Sequence, residues 1–216
     1  MTTLPLDILY EDNHLIAVNK PAGLLTQPTD QNDTSLEGIL KEWIKEKYNK
    51  PGKVFLGTIH RLDRPVSGIV LFAKTSKALS RLNASMRSRE MHKTYHALVE
   101  GKPPKEKDTL EHHLRHDDYR AEVCRSDHPD AKHAKLHYKI LKYNEQTTLL
   151  EVVLETGRYH QIRVQCAAMG CPIVGDAKYG SRKSLPGGII ALHHARLEFI
   201  HPVTHVKMCL EAPSSL

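Results

Sequence analysis

The sequence reads as a strand-rich chain interrupted by helices, compatible with a single α+β domain. Three observations support this. Short apolar or alternating runs, such as residues 15–18, 69–73 and 147–155, are separated by clusters of Gly, Pro, Asn and Asp. Two further stretches carry apolar residues at helical spacing. Composition does not shift anywhere along the 216 residues, a length that supports one sizeable core. One domain covering residues 1–216 is therefore expected.

In chain order, residues 8–10 and 15–18 form a pair of short strands joined by the turn-prone Glu11-Asp12-Asn13. Lys20-Pro21-Ala22-Gly23-Leu24 breaks the pattern and predicts a loop with Lys20 at its mouth. Asp33-Thr34-Ser35 offers helix caps, and Leu36, Ile39, Leu40, Trp43, Ile44 and Tyr48 then share one apolar face, with Trp43 read as core. That helix ends before Asn49-Lys50-Pro51-Gly52. A second helix is expected after Thr75 or Ser76, with Ala78, Leu79, Leu82 and Met86 on its buried side and Arg81, Arg87 and Arg89 elsewhere on its surface.

Residues 92–99 alternate as a strand, with Lys93, Tyr95 and Ala97 on one face and Thr94, His96 and Leu98 on the other. The stretch 101–133 is polar and rich in histidine, and predicts a loop-rich β excursion. Its histidines, with His137 beyond them, show no repeating ligand spacing, so no metal site is expected. Residues 134–142 and 147–155 predict a hairpin that runs straight into Thr156-Gly157-Arg158-Tyr159-His160-Gln161-Ile162-Arg163. A helix beginning near Tyr159 or His160 places Arg163 in its opening turn, where backbone N–H groups favour an anion. A mobile loop at 181–188 precedes the run 189–193, and Leu197-Glu198-Phe199 leads to a turn at 201–204.

A formal charge of +6 and a pI near 9.1 fit a polyanionic partner without requiring one. Cys124, Cys166, Cys171 and Cys209 match neither a CxxC pair nor a zinc ribbon and read as reduced thiols. The first residues show no secretory pattern, and no apolar run is long enough to span a bilayer. A cytoplasmic protein without membrane contact is expected.

The organising stretch is Gly57-Thr58-Ile59-His60-Arg61-Leu62-Asp63-Arg64-Pro65-Val66-Ser67-Gly68, which leads into an apolar strand. Asp63 lies in sequence between two arginines, and nearby cations favour an ionised carboxylate. The same three residues also describe an ordinary surface ion pair. HRLDxxxSG resembles the signature of the RluA-type pseudouridine synthases, and four other motifs follow the family order: KPAGL at Lys20, K-x-Y at Lys93 to Tyr95, TGRxHQIR at 156–163, and GDxxYG at 175–180. The resemblance covers Ile8 to about Leu210. Val66 stands where many relatives have Thr, Gln165-Cys166 departs after HQIR, and Leu192-His193-His194 replaces the usual Leu-His-Ala. Many relatives also carry an amino-terminal S4-type RNA-binding domain; with the first strand at Ile8, a stand-alone catalytic domain is expected here.

The resemblance implies one pseudouridine synthase catalytic domain, with a mixed, mostly antiparallel sheet, packed helices and a central cleft. It implies isomerisation of uridine in rRNA or tRNA, without cofactor or metal, by a monomeric enzyme. Asp63 acts at ribose C1′ of a flipped-out nucleotide, Tyr95 stacks on the uracil and helps remove the C5 proton, and Arg163 pairs with Asp63. Arg61 enters the space left by the base. Lys20, Arg64 and Arg158 grip phosphates, as do the arginines of the second helix, and His160 and Gln161 complete the substrate-binding set. A glycoside hydrolase would need a second carboxylate as proton donor, and Glu155 and Asp176 carry no signature of that work. A non-catalytic RNA-binding or ribosome-assembly protein accounts for the charge but not for the combined Asp, Tyr and Arg.

Overall fold

A computed structural model describes residues 6–30, 34–117, 119–214 and 216. The chain divides into two compact units, the first built from residues 1–91 and 196–213 and the second from 92–195 and 214–216. Both combine strands with helices, so the α+β class holds. Every strand-to-strand register described is antiparallel, and the isolated bridge Leu25–Ser35 is parallel.

In the first unit, β1 (Ile8–Glu11) and β2 (Leu15–Lys20) form a hairpin. Asp12 closes its turn, Oδ1 accepting from the N–H groups of His14 and Leu15 at 2.8 and 2.7 Å. The turn therefore starts one residue later than the sequence suggests. β2 also pairs with β4 (Ser67–Ala73), which pairs in turn with the short β3 (Gly57–Thr58). β2 and β4 are fully apolar in their middles because both of their faces are covered. Leu15, Ala17, Ile69 and Leu71 join Ala78 and Leu82 of α2 (Ser76–Arg87) and Leu197 and Phe199 in one core. Thr75 caps α2, its hydroxyl accepting from the Ala78 N–H at 3.2 Å.

Helix α1 (Leu36–Lys47) starts at Ser35, whose Oγ accepts from the Gly38 N–H; the candidate cap Asp33 lies outside the described residues. Leu36, Leu40 and Ile44 are buried as their spacing predicts. Trp43 is not core: it is half-buried, with the Lys47 ammonium 4.5 Å from its ring centre. Tyr48 is exposed and donates its hydroxyl proton to Glu11. Both aromatics sit at the margin of the apolar stripe, where a cation or a carboxylate suits them better than aliphatic neighbours do.

In the second unit the strands run in the order β5 (His92–Glu100), β9 (Thr147–Leu154), β8 (Lys132–Tyr143), β6 (Lys107–His116), β7 (Ala121–Cys124). About half of the histidine-rich stretch 101–133 is strand, in β6, β7 and the start of β8, and the rest is turn and loop, in line with a loop-rich β excursion. Its histidines serve as rungs between strands: His133 Nε2 meets Glu111 Oε1 at 2.7 Å, and His137 meets Glu155 at 2.6 Å and Thr109 at 2.7 Å. Helix α3 (Gln161–Ala168) follows β9, and its Val164 packs with Leu114, Ala121 and Ala134. The 181–188 segment, expected to be mobile, is tied to β5 through its first three residues. Glu100 Oε1 accepts from the Ser181 hydroxyl and from the Arg182 and Lys183 N–H groups at 2.5 to 3.0 Å. β10 (Leu192–Ile200) has residues 192–195 in the second unit and 196–200 in the first, where it pairs with β11 (Lys207–Glu211). Among the described residues, no helix is long and apolar enough to cross a membrane.

Candidate active site

In the first unit the site is the turn that carries Asp63, and main-chain atoms hold it. Thr26 Oγ1 donates to the Leu62 carbonyl at 3.0 Å and accepts from the Leu62 N–H at 3.1 Å, which fixes the residue before Asp63 from both sides. The Gly23 N–H donates to the Arg64 carbonyl at 2.7 Å, and the Val66 N–H closes the turn on the Asp63 carbonyl at 3.1 Å. Gly23 has φ of +89°, a left-handed conformation that a side chain would strain. The loop that begins at Lys20 is therefore a clamp on the Asp63 turn, and this explains why the two motifs occur together.

Lys20 is not at the mouth of the loop. It ends β2, is fully buried, and its ammonium donates to the Pro21 and Leu24 carbonyls at 3.0 and 2.8 Å, with the Arg64 carbonyl at 3.4 Å. A phosphate-gripping role does not suit a buried ammonium committed to main-chain oxygens. Burial pulls its pKa down to about 8, while the nearby negative charge of Asp63 works in the opposite direction. A buried cation close to Asp63 is thus supplied by Lys20, a residue 43 positions away that local sequence does not point to. Arg61 and Arg64, its sequence neighbours, are exposed, and Arg64 Nε donates to the Gly23 carbonyl at 3.0 Å. Arg81, also expected to hold phosphate, instead donates to the Pro202 carbonyl at 2.6 Å.

In the second unit the site residues surround the opening of α3. Gln161 is buried and works internally: its Oε1 accepts from the Thr156 hydroxyl and the Arg158 N–H at 2.8 and 2.9 Å, and its amide donates to the Lys135 carbonyl at 3.1 Å. It shapes the turn, so the contact expected between this side chain and substrate gives way to a structural one. Arg158 is exposed, with Nε donating to the His133 carbonyl. His160 adopts φ of +52° at the helix start, unusual for a residue with a side chain. It is stacked on Tyr159 at 3.8 Å between ring centres and is hydrogen bonded through Nδ1 to the Tyr179 hydroxyl at 2.8 Å.

Arg163 is buried and forms a two-pronged pair with Asp176 of the GDxxYG segment, Nε to Oδ2 at 2.7 Å and Nη2 to Oδ1 at 2.9 Å. The Tyr179 ring lies 5.1 Å from its guanidinium carbon, and burial drives the Tyr179 pKa up to about 12. GDxxYG thus holds one edge of Arg163, a more direct part than the structural role its sequence implies. Gly175 is required there, because at φ of +89° an added Cβ would fall 2.6 Å from the Ile189 carbonyl oxygen.

Tyr95 is buried in β5 opposite Val152 of β9. Lys93, two residues earlier, is half-buried; its pKa is lowered by burial, and its ammonium lies where a Cβ on Gly157 would come within 3.7 Å. The K-x-Y strand and the TGR turn are therefore packed together. Three residues to which the sequence assigns no part in the site bear on it: Thr26, Asp176 and His194. Asp176 and His194 lay inside quoted motifs, whereas Thr26 carried no signal.

Two solved human structures have this fold: RNA Pseudouridylate Synthase Domain Containing 4, at TM-score 0.80 and 23% identity over 96% of this chain and 88% of that one, and RNA Pseudouridylate Synthase Domain Containing 1, at TM-score 0.77 and 23% identity over 99% and 85%. The RNA pseudouridylate synthase family model matches residues 14–168. An uncharacterized RNA pseudouridine synthase of Bacillus subtilis is 36% identical over 96% of this chain and 68% of its own length. Ribosomal large subunit pseudouridine synthase D of Xylella fastidiosa is 37% identical over 97% of this chain and 66% of its own. The chain belongs to the RNA pseudouridylate synthase family of RNA uridine isomerases, and it spans about two thirds of the length of these curated relatives.

Proposed function

We propose that residues 1–216 form a catalytic domain that converts specific uridines in an rRNA or tRNA stem-loop to pseudouridine, working as a cytoplasmic monomer. The observation that carries this reading is the Asp63 turn, clamped through main-chain atoms with the Lys20 ammonium nearby. The ribosomal relatives favour rRNA among the possible substrates.

The reaction breaks the bond from C1′ to N1, turns the freed uracil, and forms a bond from C1′ to C5. C5 loses a proton and N1 gains one, so no redox partner is needed. Asp63 stabilises or traps the electron-poor C1′, as a retaining glycosidase nucleophile does. Fixing the Leu62 backbone removes freedom that the carboxylate would otherwise lose on reaching the transition state. Tyr95 stacks on the uracil and assists loss of the C5 proton. Arg163, one edge fixed by Asp176, is the arginine to which the family resemblance assigns the task of keeping Asp63 ionised. The nucleotide must first leave its helix at a cost of a few kcal/mol, with Arg61 filling the gap. The exposed Arg64 and Arg158 hold phosphates, and His160 shapes the substrate-binding surface.

Tritium release from RNA carrying C5-labelled uridine tests this reading. The parent chain releases tritium, whereas Asp63→Asn binds the same RNA within about twofold but loses at least about a thousandfold in turnover. Substantial release by Asp63→Asn overturns the role of Asp63. No release by the folded, RNA-bound parent leaves a binding protein only.

A further inference from the structure

His194 is fully buried, and its ring stacks on Tyr95 with centres 4.5 Å apart and planes 15° from parallel. The contact follows from the strand arrangement. β10 lies beside β5, and the Leu98 N–H donates to the Ala191 carbonyl at 3.0 Å. Three residues earlier on β5 and three later toward β10, Tyr95 and His194 meet side by side, the arrangement that gives cross-strand pairs their strength. The pattern this chain resembles has an alanine here, too small to cover a phenol ring.

A phenol ring turns about its Cβ–Cγ bond unless its faces are packed, because that torsion is broad. An imidazole lying flat on one face resists tilting. We propose that His194 is a positioning residue for Tyr95, holding the ring at the angle from which it meets the uracil. This rests on the reading above that Tyr95 acts on the target base. His194 touches neither base nor sugar in this scheme, so its effect falls on the chemical step more than on RNA affinity.

Steady-state tritium release by Tyr95→Phe, His194→Ala, His194→Leu and His194→Phe tests the proposal, with thermal unfolding to confirm folding. His194→Ala and His194→Leu are expected to lower kcat roughly tenfold, with KM within about twofold of the parent. His194→Phe restores a flat ring and keeps kcat within about threefold of the parent. If Tyr95→Phe is impaired while His194→Ala or His194→Leu matches the parent, the positioning role is wrong and the function of Tyr95 stands. If Tyr95→Phe turns over like the parent, the role of Tyr95 fails and His194 falls with it. If His194→Phe is as slow as His194→Leu, or KM rises with the fall in kcat, stacking is not what matters. A third measurement needs no variant at position 194. Ring protons of Tyr95 in the parent, assigned by their disappearance in Tyr95→Phe, are expected upfield of an unstacked tyrosine, and unshifted signals overturn the proposal even where the His194 variants do not fold.

Discussion

An ammonium removed from water needs compensation, and Lys20 draws it from three main-chain carbonyls and the charge of Asp63. The compensation is incomplete, since its pKa still falls from 10.5 to about 8. The sign of the linkage is definite. Between pH 8 and 10.5 the unfolded chain holds a proton at Lys20 that the folded chain has released, so the folded state gains stability as pH rises through that window. The gain measured for the parent over Lys20→Met across the window should reach up to about 3 kcal/mol in chemical denaturation. Parallel curves for the two proteins would refute the depressed pKa. Nothing in the local sequence reveals this environment, because lysine beside Pro and Gly ordinarily faces solvent. The position of Asp63, in contrast, was legible from its motif, while the threonine that fixes it was not.

At the scale of elements, helices α1 and α2 were read correctly where apolar spacing is regular, and misread at Trp43 and Tyr48, where the stripe gives way to charged neighbours. Within the β6, β7 and β8 ribbon, β8 was legible because Ala134, Leu136 and Tyr138 alternate with Lys135 and His137, whereas β6 and β7 carry few apolar residues and were read only as part of a loop-rich β excursion. The GDxxYG turn and α3 are joined by the Arg163–Asp176 pair, whose side chains are 6% and 1% exposed. Removing one partner strands a buried charge. Asp176→Ala should therefore lose about 3–5 kcal/mol of stability, a fall in unfolding midpoint of roughly 10 °C for a chain of this size. A calorimetric midpoint within a degree or two of the parent would show that the pair contributes little.

For the whole molecule, thiol chemistry reports on both units at once. Cys166 is fully buried and its pKa is pushed up to about 12, chiefly by burial, and burial also raises Cys171; Cys209 is exposed and Cys124 half-buried. A neutral disulfide reagent at pH 8 should label Cys209 and Cys124 quickly and the other two only as fast as the protein opens. Four equally fast thiols in the native protein would contradict this packing. The sequence was enough for the α+β class and for reduced cysteines, since both depend on composition and local pattern. Contacts between distant segments, such as Tyr95 with His194, lay beyond it.

The clamp around Asp63 has one further consequence. Backbone oxygens and nitrogens form nearly all of it, and every amino acid brings those atoms. Substitution within the loop after Lys20 can thus alter its lettering while its grip persists, so long as the lysine tail, the threonine hydroxyl and the positive φ of Gly23 survive.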